Sequence, residues 1–181
     1  MGIVACLLYE PTFDYMRKIY IGVSKMNTKE FILNQFEASY NRDTWFVSLK
    51  TAVEGIGSYQ ASYKSENSTH SIMEIVHHLY CYNLLELNRF KGIADHVSIK
   101  DNKTTFSNAG EMSWEQLLNK LFNTMKDWLD EMKRCDEEYI ERYIESLTYI
   151  NLHNAYHIGQ ILQIRKSHGM WDENKGVNYT V

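Results

Sequence analysis

The chain has 181 residues, 44% of them hydrophobic, and a net charge of −4 with no long block of either sign, which suits one globular domain able to bury roughly 70% of its unfolded surface. Scattered lysines and arginines argue against a nucleic-acid footprint, and no run of ~18 apolar residues offers a membrane span. Three cysteines without a Cys-x-x-Cys spacing suit a reducing cytoplasm, and one proline with few glycines leaves most of the chain free to be helical.

Residues 1–25 differ in character from the rest of the chain. Their apolar part, 3–9, is short, lacks a preceding basic residue and has no small-residue cleavage pattern close behind it, so no signal peptide is expected. Two readings of this extension stay open: a translated ribosome-binding region ahead of a natural start at Met26, or a flexible arm. From Met26 the signals become coherent. Asn27 and Glu30 form a variant of the capping box, and a first helix is predicted from 27 to about 56, with Phe31, Phe36, Tyr40, Leu49 and Val53 on its apolar side. Gly55-Ile56-Gly57 supplies its end, and 58–70 reads as polar loop.

Ser71 and Glu74 make a second capping box, and the helix behind it runs to Gly92. It carries His77 and His78 side by side. Ile75, His78, Tyr82 and Leu85 form one stripe, and Met73, His77, Cys81 and Leu84 another, so periodicity leaves both histidines open. Residues 93–112 are a polar connection of unusual length, expected to hold short structure or to cover a site. Ser113 and Gln116 cap a third helix whose face of Leu117, Leu121, Met125, Trp128 and Met132 is core. Asp136-Glu137-Glu138 reads as a solvated turn. A fourth helix is predicted from about 146 to 168, with Gly169 as its C′ residue, and a polar tail closes the chain at 173–181. Four such helices predict an all-α, four-helix bundle over 26–172, with a long connection between helices two and three.

Chemistry concentrates on the fourth helix. His153 and His157 stand four apart, which puts their Cβ atoms about 5–6 Å apart on one face, near enough for both rings to reach one ion at about 2.0–2.1 Å. That face also carries Ile150, Ile161 and Ile164, so the histidines interrupt an apolar stripe. Buried imidazoles need either hydrogen-bond acceptors or a metal. Cys81 offers a thiolate, although a buried filler is the better reading. Gln160 is either an orienting residue or a polar edge, and Gly159 is read as a close helix approach. A di-iron centre would need a second Glu-x-x-His motif. Only Glu74 and His77 supply one, since Ile150 and Asn154 stand three before the other histidines.

Three stretches together resemble the DinB/YfiT-like superfamily of metal-dependent enzymes: THSIMEIVHHLYCYNLLELNRFKG, SWEQLL and HNAYHIGQILQIRKSHGMW. The likeness extends over about 27–172 and is most specific at H-x-x-x-H-x-G-Q-I, residues 153–161. It implies a four-helix bundle, often a homodimer, holding zinc, nickel or a similar divalent ion on three histidines. It selects His78, which precedes Leu79 as the family's third ligand precedes an aliphatic residue, to join His153 and His157. Two departures stand out: His70 replaces the family's usual tryptophan, and the segment between Tyr139 and His153 is short. The resemblance implies thiol-dependent S-transfer to a small-molecule substrate, with a low-molecular-weight thiol as co-substrate. Metal-dependent hydrolysis and a non-catalytic, metal-stabilised binding protein are the alternatives. No general base is identified.

Overall fold

Helix starts obey the capping chemistry. In the computed structural model, which describes residues 26–64, 69–93, 99–107 and 112–177, Asn27 Oδ1 accepts the Glu30 N–H at 2.8 Å and opens α1 (Thr28–Tyr40). Ser71 and Glu74 exchange bonds at 3.2 and 2.8 Å to open α4 (Ile72–Phe90). Ser113 and Gln116 do the same at 3.2 and 2.9 Å ahead of α5 (Trp114–Arg134). Short helices α2 (Leu49–Val53), α3 (Ser58–Ser62) and α6 (Glu137–Arg142) lie between, and α7 (Ile144–Ser167) ends near Gly169, whose φ of +63° needs no Cβ penalty. A 3-10 helix, Asn102–Phe106, sits in the long connection. No strand occurs among the described residues, which are all-helical. The extension 1–25 and residues 178–181 lie outside those described.

Three sequence expectations are corrected here. The first helix does not run to residue 56. It stops at Tyr40 because Asp43 draws the chain into a turn, accepting the Ser48 N–H at 2.8 Å and the Thr51 hydroxyl at 2.9 Å. Residues 58–70 are not all loop, since α3 forms there. Asp136-Glu137-Glu138 is a helix start: Asp136 caps α6 by accepting the Tyr139 N–H, and Glu137 accepts the Thr28 N–H at 2.8 Å, tying α6 to α1.

The long helices α1, α4, α5 and α7 pack in a closed cycle, with α4 against α5 and α7, and α1 against the same two. Phe36, Leu79, Leu121, Met125, Trp128 and Ile161 are buried between them, each contributing about 1.5–3 kcal/mol through removal from water. Indole N–H groups are satisfied internally, Trp128 by the Asn83 carbonyl at 3.1 Å and Trp114 by the Ile56 carbonyl at 2.8 Å. Arg165, also buried, donates to the Ala52 carbonyl at 2.7 Å and lies over Trp171, which fastens α2 and residues 170–171 to α7. No described helix is long and apolar enough to cross a membrane.

One polar pair registers α4 against α7. Asn83 and Asn154, both fully buried, exchange amide bonds at 2.8 and 3.2 Å. Removing either partner strands the other, so Asn154→Ala and Asn83→Ala are each expected to lower unfolding free energy by about 1–3 kcal/mol. The double substitution should cost clearly less than the sum of the two. Urea titrations showing simple additivity would mean the two amides do not act as a pair.

Candidate metal centre

Because α4 and α7 pack side by side, their histidines meet. One ring nitrogen from each of His78, His153 and His157 lies within 4.8 Å of the other two. His78 Nε2 and His153 Nε2 are only 2.9 Å apart. His78 and His157 are buried and His153 half-buried. His77, which periodicity alone left in play, turns aside and donates from Nδ1 to the Thr105 carbonyl at 2.6 Å. Cys81 goes with it, with Sγ 3.8 Å from His77 Nδ1. Burial pushes its thiol pKa up, which favours the filler reading over a thiolate ligand.

Hydrogen bonds around the cluster decide which nitrogens carry protons. Thr105 donates its only hydroxyl proton to the Asn102 carbonyl at 2.6 Å, so it must accept from His78 Nδ1, also at 2.6 Å. This leaves the His78 Nε2 lone pair facing inward. Gln160 works in the same way: its amide N–H binds the Tyr156 hydroxyl at 3.1 Å, and its Oε1 accepts from His157 Nδ1 at 2.7 Å. The orienting role for Gln160 is therefore the one the geometry supports. His153 Nδ1 is buried without a partner. An all-nitrogen set of three converging imidazoles fits a divalent transition-metal ion, and the unpartnered His153 Nδ1 is consistent with a ring whose other nitrogen is turned to the cluster.

Electrostatics agree with this arrangement. Burial, then the neighbouring His157 and His153, pushes His78 down from 6.5 to about 3. Burial first and His157 second take His153 to about 4. His157 is lowered by burial, against which its bond to Gln160 acts. All three are held in the neutral, coordinating form at neutral pH.

The cluster lies in an open cavity of about 720 Å³. The 3-10 helix of the long connection covers one side of it. Phe106 of the 3-10 helix stacks on His78 with ring centres 4.0 Å apart, and on His70 at 3.9 Å. Tyr82 and Tyr156 form further wall. Behind Tyr82 and His153 lies a second cavity of about 390 Å³. Sequence reasoning missed Thr105, Asn102 and Phe106 because an irregular connection has no period to read. Only its length pointed there. Gly159 is corrected: it is exposed, and a Cβ there would meet nothing within 4 Å, so it permits no close approach.

Because the outer hydrogen bonds set tautomer and ring orientation, Thr105→Val and Gln160→Ala should each weaken zinc binding by about 10–100-fold without unfolding the protein. Competition with a chromophoric chelator reads this directly. Unchanged affinity in both variants would show that the rings orient themselves by packing alone. No protein-family model, curated protein or solved structure matches this chain.

Proposed function

We propose that the chain is a metal-dependent enzyme of the DinB/YfiT-like type, a four-helix bundle of α1, α4, α5 and α7 that uses His78, His153 and His157 to hold zinc or a related ion. The observation that carries the reading is the convergence of three neutral imidazoles in an open cavity. Three protein ligands with no fourth side-chain donor among the described residues would leave a bound ion one open position, the pattern of catalytic rather than structural zinc. An ion held so supplies Lewis acidity, lowering the pKa of bound water to about 7 or taking the proton from a thiol.

The chain's own residues bind and orient. Thr105 and Gln160 keep Nε2 of two ligands turned to the centre. Phe106, Tyr82 and Tyr156 provide aromatic walls. Among the described residues no carboxylate lines the cavity, which leaves the ion's double charge for an anionic substrate atom to neutralise. A thiolate answers that need while remaining a nucleophile, which supports thiol-dependent S-transfer to a small electrophile ahead of hydrolysis.

The test is elemental analysis of the purified protein, then cobalt substitution and addition of 2-mercaptoethanol. A stoichiometric ion with a new sulfur-to-cobalt absorption band is the expected result. Turnover in a screen of thiols against electrophiles should accompany it. A bound ion whose spectrum ignores every thiol would overturn the S-transfer reading.

A further inference from the structure

His70 belongs to the same cavity wall as the three candidate ligands, although nothing in its sequence position marks it as functional. It precedes Ser71, the N-cap of α4. One phenyl ring separates it from His78, because Phe106 stacks in near-parallel fashion on both, with interplanar angles of 12° and 11°. On its other edge, Nδ1 lies 3.5 Å from Glu74 Oε2. That carboxylate is anchored by the Ser71 N–H at 2.8 Å and by Lys64 Nζ at 3.2 Å. The side chain is 33% exposed, so it meets the cavity and the solvent together.

The site's chemistry leaves a proton to dispose of. A thiol arrives protonated and is held as thiolate, so each binding event releases one proton. The ligands cannot take it. Nδ1 of His78 and His157 already donate, to Thr105 and Gln160, and His153 Nδ1 is enclosed. Among the described residues, no lysine, arginine or carboxylate lines the cavity. Its tyrosines offer a hydroxyl, whereas the neutral imidazole of His70 offers a ring nitrogen lone pair that can accept a proton.

The geometry points to His70, oriented by Glu74, as the proton carrier of this cavity. The inference rests on the proposal that the site holds a metal and takes a thiol. A thiol that bound there as thiolate would break its S–H bond and give up one proton. The proton passes to His70 Nε2, and the imidazolium faces the Glu74 carboxylate until it yields the proton to buffer. No electrons change hands. Among the described residues, the other groups near the ring are Lys64, which pairs with Glu74, the titratable His78 and His157 across the cavity, and the neutral Thr69, Gln160 and Gln163.

Stopped-flow mixing of the cobalt-loaded protein with 2-mercaptoethanol in dilute buffer at neutral pH tests this. His70→Phe preserves an aromatic ring for Phe106 to stack on, and Glu74→Gln preserves the capping geometry. Both should bind cobalt stoichiometrically and reach the wild-type final absorbance. The rate of appearance of the sulfur-to-cobalt band should fall by about tenfold or more in His70→Phe and by less in Glu74→Gln. Added imidazole should restore the rate of His70→Ala, with saturation. Wild-type rates in fully loaded variants would overturn the inference while leaving the metal and thiol reading intact. Loss of cobalt from His70→Phe and His70→Ala alike would make His70 a structural support and also overturn it. A wild-type protein that binds cobalt but shows no band would overturn the thiol reading, and this inference with it.

Discussion

Alanine at His78, His153 or His157 is expected to abolish stoichiometric zinc binding, while alanine at His77 leaves it in place. The reason is geometric. Only the first three place a nitrogen within 4.8 Å of both partners, and His77 spends its Nδ1 on the Thr105 carbonyl. Losing an orienting bond weakens a site by about 10–100-fold, so losing one of only three ligands should cost more than either Thr105→Val or Gln160→Ala. His77→Ala still has a measurable effect, because it frees the 3-10 helix of one tether and should lower unfolding free energy by about 1 kcal/mol. Metal content after gel filtration and chemical denaturation of the metal-free variants separate the two effects. Full metal in His78→Ala together with loss in His77→Ala would show that the neighbouring histidine is the ligand.

How much of this site could be read from the chain depends on where each residue sits. His153 and His157 are legible because helical spacing forces them onto one face and the isoleucines around them say that the face is buried. Periodicity could not separate His78 from His77, since adjacent residues on a helix lie 100° apart and α4 is apolar on two flanks. Only tertiary packing against α7 decides between them. The helix starts at Asn27, Ser71 and Ser113 were readable because capping is local chemistry between residues three apart. The break after Tyr40 was not. It depends on Asp43 reaching Ser48 and Thr51, a competition that a hydrophobic pattern does not record. Thr105 lies 27 residues from His78 in the chain, and no rule of spacing joins them. His70 looked like a loop residue until Phe106 and Glu74 were placed around it.

The second large effect is the response of stability to pH, with and without metal. For the metal-free protein the sign comes from the direction of the shifts. His78 is lowered to about 3 and His153 to about 4, both chiefly by burial, and His157 is lowered as well. In the unfolded chain each returns to about 6.5. The unfolded state therefore binds more protons below that value, and stability is complete above about pH 6.5 and declines as pH falls. At about pH 5 the loss through His78 alone is about 2 kcal/mol, with a smaller, solvent-screened share from the half-buried His153. Saturating zinc raises the whole curve. At a free concentration a thousandfold above Kd the gain is about 4 kcal/mol, on the order of 10 °C in Tm for a chain of this length. Protons compete for the folded site only once its own histidines titrate, and His78, the lower of the two at about 3, holds out below His153 at about 4. The two melting curves should thus start well separated at about pH 8, decline together just below pH 6.5, and converge only as pH approaches about 4. Matched melts in excess zinc and in excess chelator across that range check this. Curves that coincide at about pH 8 would mean that no ion is held by these histidines, and a separation that persists undiminished to about pH 4 would mean that the ion is held by something other than imidazole.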